Sequence, residues 1–355
     1  MFNLKEEYYN KNYETKNPNI KLSHYLEYNK SKDLKNNIFE IYKSISNNII
    51  HIIIPDNDTN NLNVFYLNKN ELQIHKTLKA HNYEVTILNY YLTDKKEEYL
   101  LSTDSIENIF VWDIKNDFNI LKKIETKYEY KMYSNLLLYM NNENYIITSC
   151  SLKENDDNNN NVNDSFSRIY SLTNGHLTKN IPGTNLNCTY YILSWHNSID
   201  ENNYIIECCK GKIFIYNITK DELYIEFLNN YNRGANFYEG FIYSKINDEN
   251  YLLAGTDNGM IFIWNLNAKA LSNVIFLNQK KYQIYHINKW NNMYFYFYEF
   301  SQNSIIFIDY EKLKIITLYK FNRNKSIENI KLINLNSYGK SLFISNEENN
   351  IEIWN

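Results

Sequence analysis

The sequence predicts an all-β chain made of a ring of repeated four-stranded antiparallel sheets. Two observations carry that prediction. The first is a recurring short strand, Ile109-Phe110-Val111-Trp112-Asp113, with apolar residues alternating up to an aromatic near its end. Copies run over Ile213–Ile218, Ile261–Leu266, Ile305–Tyr310 and Ile351–Asn355, with weaker ones over Leu62–Leu67 and Ser167–Leu172. The second is spacing. The position of Trp112 in each copy falls at 65, 112, 170, 216, 264, 308 and 354, in steps of 47, 58, 46, 48, 44 and 46 residues. A period of about 46 residues, with four strand-like runs in each, is the signature of a β-propeller. Seven copies predict seven blades.

Taken in order, residues 1–19 are polar and charged and are expected to be loosely attached, with one propeller over 20–355. Lys21–Tyr28 alternates like a strand, and the first complete blade begins at Asn37–Tyr42. Third strands are expected to end near 67, 113, 171, 217, 265, 309 and 355. The last repeat stops at its third strand, so the N-terminal strand is expected to complete that blade and close the ring, covering an otherwise unpaired edge. A second cassette marks the second strands: Glu98–Leu101, Asn144–Ile147, Asn203–Ile206 and Asn250–Leu253 each follow an acidic or Asn-rich turn. First strands are expected over Glu84–Tyr91, Tyr133–Met140, Cys188–Trp195, Phe237–Ile246, Tyr282–Trp290 and Ile327–Leu335. Outer strands are expected over Glu71–Leu78, Asn119–Glu125, Glu222–Leu228, Leu271–Leu277 and Lys314–Phe321. The long step in the third repeat comes from Lys153–Asp164, almost all Asn and Asp, which holds too little apolar surface to fold and is expected to be a flexible loop tip. With 3 Pro and 8 Gly in 355 residues, turns fall to Asn and Asp, which tolerate left-handed dihedrals.

Composition narrows the function. A net charge of −4 leaves no basic footprint, so no nucleic-acid partner is expected. No apolar run approaches the ~18 residues of a membrane span, and the N-terminus lacks the apolar core of a secretion signal. Cys150, Cys188, Cys208 and Cys209 follow neither disulfide nor zinc spacing, which suits a reducing, cytoplasmic setting. Cys208 and Cys209 are adjacent on a strand and point to opposite faces, so they are read as small buried thiols. No phosphate loop, nucleophile elbow or metal motif occurs; no cofactor, metal or catalytic residue is expected, and the chain is read as non-enzymatic. One aromatic per repeat, at Phe65, Trp112, Tyr170, Tyr216, Trp264 and Trp354 with Ile308 in register, is expected to pack between neighbouring blades, with Asp113 and Asp309 closing their strands.

The Trp112-Asp113 ending, with Trp264-Asn265 and Trp354-Asn355, resembles the WD-repeat β-propeller family over about residues 20–355. The resemblance implies that the Trp is held by a hydrogen-bond chain of His, Ser or Thr, and Asp. His81 matches the turn histidine and Ser102 the strand hydroxyl beneath Trp112, so His81 is read as structural, not as a base. The Asp departs from the pattern: six residues before Trp112 stands Ile106, and the nearest Asp is Asp104; six before Trp264 stands Asn258.

The resemblance also implies a docking rim made by the loops entering each first strand and the turns between second and third strands. In this chain the rim includes Asn82, Tyr83, Glu84, Arg233, Phe237, Asn258, Lys281 and Tyr282, with the Asn-rich insertion. The function expected is a protein–protein interaction scaffold, monomeric by itself, acting as a subunit or adaptor of a larger complex. The alternative is a propeller that binds phosphoinositide at a membrane surface. Tyr231-Asn232-Arg233-Gly234 resembles the Arg-Arg-Gly signature of that class, with Asn232 in place of the first arginine, leaving one guanidinium fork for phosphate.

Overall fold

The computed structural model describes residues 7–8, 22–27, 38–56, 58–68, 71–126, 130–152, 166–181, 189–228, 236–244, 249–277, 284–289, 294–299, 304–309, 312, 314–320, 327–335, 339–346 and 350–354. The alternating runs form strands, and four consecutive strands pair antiparallel in chain order to make a blade. Six such blades follow one another. Their inner strands are Glu40–Lys43, Val85–Leu92, Tyr130–Met140, Thr189–Asn197, Phe237–Ser244 and Ile284–Lys289, and each lies beside the next around the centre.

Burial follows the pleat. Second and third strands are covered on both faces, as in Glu98–Asp104 and Met260–Asn265, while the outer Asn119–Ile124 is mostly exposed. The core lies between blades rather than inside them. Trp112 joins Leu100 and Phe110 against Tyr42, Ile53, Leu62 and Val64 of blade 1. Tyr170 packs on Leu101 and Val111 of blade 2, and Tyr216 on Ile147 and Ile169 of blade 3. Trp264, 2% exposed, stacks on Phe227 at 5.1 Å and Phe262 at 5.3 Å and meets Phe237 edge-on at 5.7 Å. Such ring pairs contribute about 0.5–1.5 kcal/mol each beyond area burial. Ile308 is fully buried between blades 5 and 6, whereas Phe65 is half-buried. Asp309 ends its strand with Oδ1 accepting from the Lys312 amide at 2.9 Å.

Asn and Asp do make turns: Asn48, Asn60, Asn141, Asn142, Asp117 and Asp221 hold positive φ. Lys96, Glu107, Phe118, Glu201 and Lys269 do so too, where hairpin closure outweighs the penalty on larger side chains.

The expectation of seven equivalent four-stranded antiparallel blades, closed into a ring by the N-terminal strand, is corrected to six blades of consecutive strands. A further sheet differs in kind: it is assembled from both chain ends, in the order Leu22–Glu27, Asn350–Trp354, Gly339–Asn346, Ile327–Leu335. Leu22 pairs with Trp354 and Glu27 with Asn350. The side chains of that sheet, Trp354 included, lie outside the described residues. Counting third-strand endings treats the last repeat like the others, but three consecutive strands cannot make a self-contained blade. Nor is every sheet four-stranded and antiparallel. Glu7–Tyr8 adds a fifth strand, parallel to Ala270–Phe276, on the outer edge of blade 5. An outer strand that the pattern does not announce, Leu177–Ile181, completes blade 3; its exposed polar positions carry little apolar alternation. The insertion 153–164 lies outside the described residues.

Candidate functional site

In blades 2 and 5 the end where the inner strand begins is built by hydrogen bonds between its entry loop and the turn linking second and third strands. The Ser105 amide donates to the Glu84 carbonyl at 2.8 Å in blade 2, and the Asp257 amide to the Asn236 carbonyl at 3.3 Å in blade 5. Blade 1 reaches across to blade 2 at this end, where the Asn60 side chain donates to the Asn82 carbonyl at 3.0 Å.

Within blade 2, four buried side chains form one chain of hydrogen bonds. Trp112 Nε1–H donates to Ser102 Oγ at 2.8 Å; Ser102 Oγ lies 2.7 Å from His81 Nε2; His81 Nδ1 lies 3.2 Å from Asp104 Oδ2. An acceptor carboxylate at Nδ1 places the ring proton there, so Nε2 accepts from the serine hydroxyl. Asp104 therefore fills the position that the family spacing assigns elsewhere. It caps the following turn as well, its Oδ1 accepting from the Ile106 and Asn108 amides at 3.2 and 2.9 Å and its Oδ2 from Asn108 Nδ2 at 3.1 Å. Burial pushes the Asp104 carboxyl up, but the hydrogen bonds from His81 and Asn108 outweigh it and hold the carboxyl below its ordinary range.

Ser, His and Asp in this order have the makings of a nucleophilic triad. The arrangement cannot act as one. Ser102 is 0% exposed and its oxygen is already engaged by the Trp112 indole, so no substrate carbonyl can reach it. The chain ties the entry loop to the third strand. In two other blades the position in register with Ser102 carries no hydroxyl: it is Ala254 beneath Trp264 in blade 5 and Glu207 in blade 4, whose Oε2 accepts from Thr189 Oγ1 at 3.1 Å. Burial raises the Glu207 carboxyl.

The expected rim residues divide. Asn82 and Tyr83 are exposed, Tyr83 at 47%, and Glu84 is half-buried. Asn258 is half-buried and accepts a hydrogen bond from Thr256 Oγ1. Phe237 is corrected: it is 0% exposed, wedged against Phe262 and Trp264, and presents nothing to a partner. Arg233, Lys281 and Tyr282 lie outside the described residues.

Alternation does not single out three tyrosines that gather at this end. Pairing of the first with the second strand skips one residue in blades 3, 4 and 5, between Met132 and Ser134, Thr189 and Tyr191, and Phe237 and Glu239. The skipped residues are Tyr133, Tyr190 and Tyr238. A bulge re-aims the extra side chain out of the pleat, and here the three rings meet across blades: Tyr133–Tyr190 centroids at 5.9 Å, Tyr190–Tyr238 at 4.8 Å. All three are half-buried. Tyr190 and Tyr238 each stand 26 residues before the repeat aromatics Tyr216 and Trp264, while Tyr133 stands 37 before Tyr170 because the insertion intervenes, and alternation alone assigns all three to a pleat face.

Among the described residues no group of His, Cys, Asp or Glu could hold a metal, and no helix is long and apolar enough to cross a membrane. Cys208 and Cys209 are buried and form no disulfide, and Cys209 Sγ lies 3.5 Å from Thr189 Oγ1.

No known protein family and no curated protein matches the chain. Solved structures do match, 1230 chains in all, a breadth that marks a common architecture rather than one activity. One is the crystal structure of BBS1N in complex with ARL6DN, soaked with lead. It is 10% identical, with a TM-score of 0.63 over 91% of this chain and 92% of that one. At that identity the likeness shows the β-propeller fold alone.

Proposed function

We propose that this chain is a non-enzymatic scaffold that binds a partner protein at the rim where the inner strands begin, as a cytoplasmic subunit of a larger complex. The observation that carries the reading is the arc of Tyr133, Tyr190 and Tyr238 across three consecutive blades. Tyrosine offers large, rigid contact area with a polar tip, which is why it dominates interface hot spots. Bulges on paired strands hold the arc in place, so little side-chain entropy is lost on binding. A solved propeller of similar fold in a complex with another protein fits this use. Burial of the Ser102–His81–Asp104 group fits the absence of catalysis from the proposal.

The test is a native pull-down of the tagged chain with quantitative mass spectrometry, repeated with Tyr190→Ala and Tyr238→Ala. The expected result is a protein recovered near one-to-one whose affinity drops about 30-fold in each variant, the size of a ~2 kcal/mol hot spot. A partner retained equally by both variants would overturn the rim assignment, and turnover of a substrate would overturn the scaffold.

A further inference from the structure

At the opposite end of the blades, the turns linking first and second strands of blades 2, 3 and 4 surround a cavity of about 670 Å³. That volume lies in the ~300–1,000 Å³ range of ligand sites. Leu137 of the blade 3 inner strand lines the cavity on the blade 2 side, together with Tyr91, and Leu138 lines it on the blade 4 side. One wall is the ring of Tyr139, whose hydroxyl donates to Asn142 Oδ1 at 3.1 Å and so sets the ring's orientation. Asn141 and Asn142, at φ 51° and 64°, make the two-residue turn that lifts this wall above the strand ends.

Two features say what the cavity accepts. Lys95 Nζ sits 4.8 Å from the Tyr139 centroid, so that ring face already receives a cation supplied by the same chain. Asp94 lines the mouth, is exposed, and makes no ion pair among the described residues. The three turns together carry Asp94, Glu97, Glu143, Asp200 and Glu201 against Lys95 and Lys96, an excess of negative charge. We propose that this cavity binds an extended segment of a partner protein that carries a lysine or arginine beside a bulky aliphatic side chain. The aliphatic group packs on Leu137 and Tyr91, and the cation displaces Lys95 from the Tyr139 face, beside Asp94. The surface is independent of the tyrosine arc, so one chain holds two partners, or two parts of one, at its two ends.

The probe is a fluorescein-labelled peptide, Gly-Leu-Lys-Leu-Lys-Leu-Gly, titrated into the full chain at 0.15 M salt and followed by anisotropy. Controls replace Lys by Glu or Leu by Ser. Saturable binding of the Leu/Lys peptide is expected, with slowed hydrogen exchange at 91–94, 137–142 and 194–203 and weak or no binding of either control. Asp94→Lys should weaken binding about tenfold and Tyr139→Ala about three- to fivefold. Tyr238→Ala, at the other end, should leave it unchanged. Asp94 is exposed, so its variant keeps the fold, which a melting curve checks. Absence of binding, equal binding of the Leu/Glu peptide, or insensitivity to both cavity variants would overturn the proposal; loss of rim binding in the pull-down would not touch it.

Discussion

Replacing Ser102 by Ala removes one oxygen and strands two partners. The hydroxyl accepts from Trp112 Nε1 at 2.8 Å and meets His81 Nε2 at 2.7 Å, and all three residues are at most 6% exposed. A buried polar group left without a partner costs about 1–3 kcal/mol. The two groups together predict a loss of about 2–5 kcal/mol, because the space vacated by one oxygen is too small for a well-bound water. Trp112→Phe separates this from packing, since it deletes the stranded indole N–H along with part of the ring. Ser102→Ala should therefore cost less in the Trp112→Phe background than alone, with a coupling of about 1–2 kcal/mol. Urea titration followed by far-ultraviolet circular dichroism on the four proteins of the cycle measures it. A Ser102→Ala loss below about 0.5 kcal/mol, or strict additivity in the cycle, would refute the claim that this hydroxyl joins loop to strand.

Two further outcomes follow from buried groups. Burial raises the Glu207 carboxyl, opposed by hydrogen bonds with Ser167 and Thr189. Its ionisation thus disfavours the folded state: the protonated acid is tolerated at and below the usual carboxylate range, and stability declines as pH rises toward the raised value. Glu207→Gln keeps a neutral partner for Thr189 and should raise the melting temperature at pH 8 more than at pH 5; an equal shift at both pH values would count against the buried charge as the cause. Gly255 has no room for a side chain, since a Cβ there would lie 2.5 Å from Ile284 Cγ2 and 2.8 Å from its Cβ, at the join of blades 5 and 6. Gly255→Ala should lose about 1–3 kcal/mol through overpacking. Gly240→Ala, which meets only side-chain tips at 3.0 Å and beyond, should lose less, and a reversed order in denaturation midpoints would contradict the packing account.

The sequence by itself determined most of the strands and their period. Alternation about Trp112 and Trp264 marks a buried edge, and recurrence at about 46 residues marks a propeller, because each blade must bury that edge on its neighbour. His81, Ser102 and Trp112 were also legible as parts of one network. Tertiary structure decided the rest. That Asp104 rather than a residue nearer Trp112 completes the network depends on how its turn folds back, with the Asp104 amide bonded to the Asn108 carbonyl. That Phe237 is buried while Tyr238 is turned toward Tyr190 depends on a bulge, and a bulge is one extra residue in a pairing of two strands. The blade count likewise depended on which chain segments pair: the last repeat shares a sheet with Leu22–Glu27 from the other end of the chain. Period and alternation are properties of one segment read alone. Pairing, bulging and the meeting of side chains across blades are relations between segments far apart in sequence, and only the folded chain brings them together.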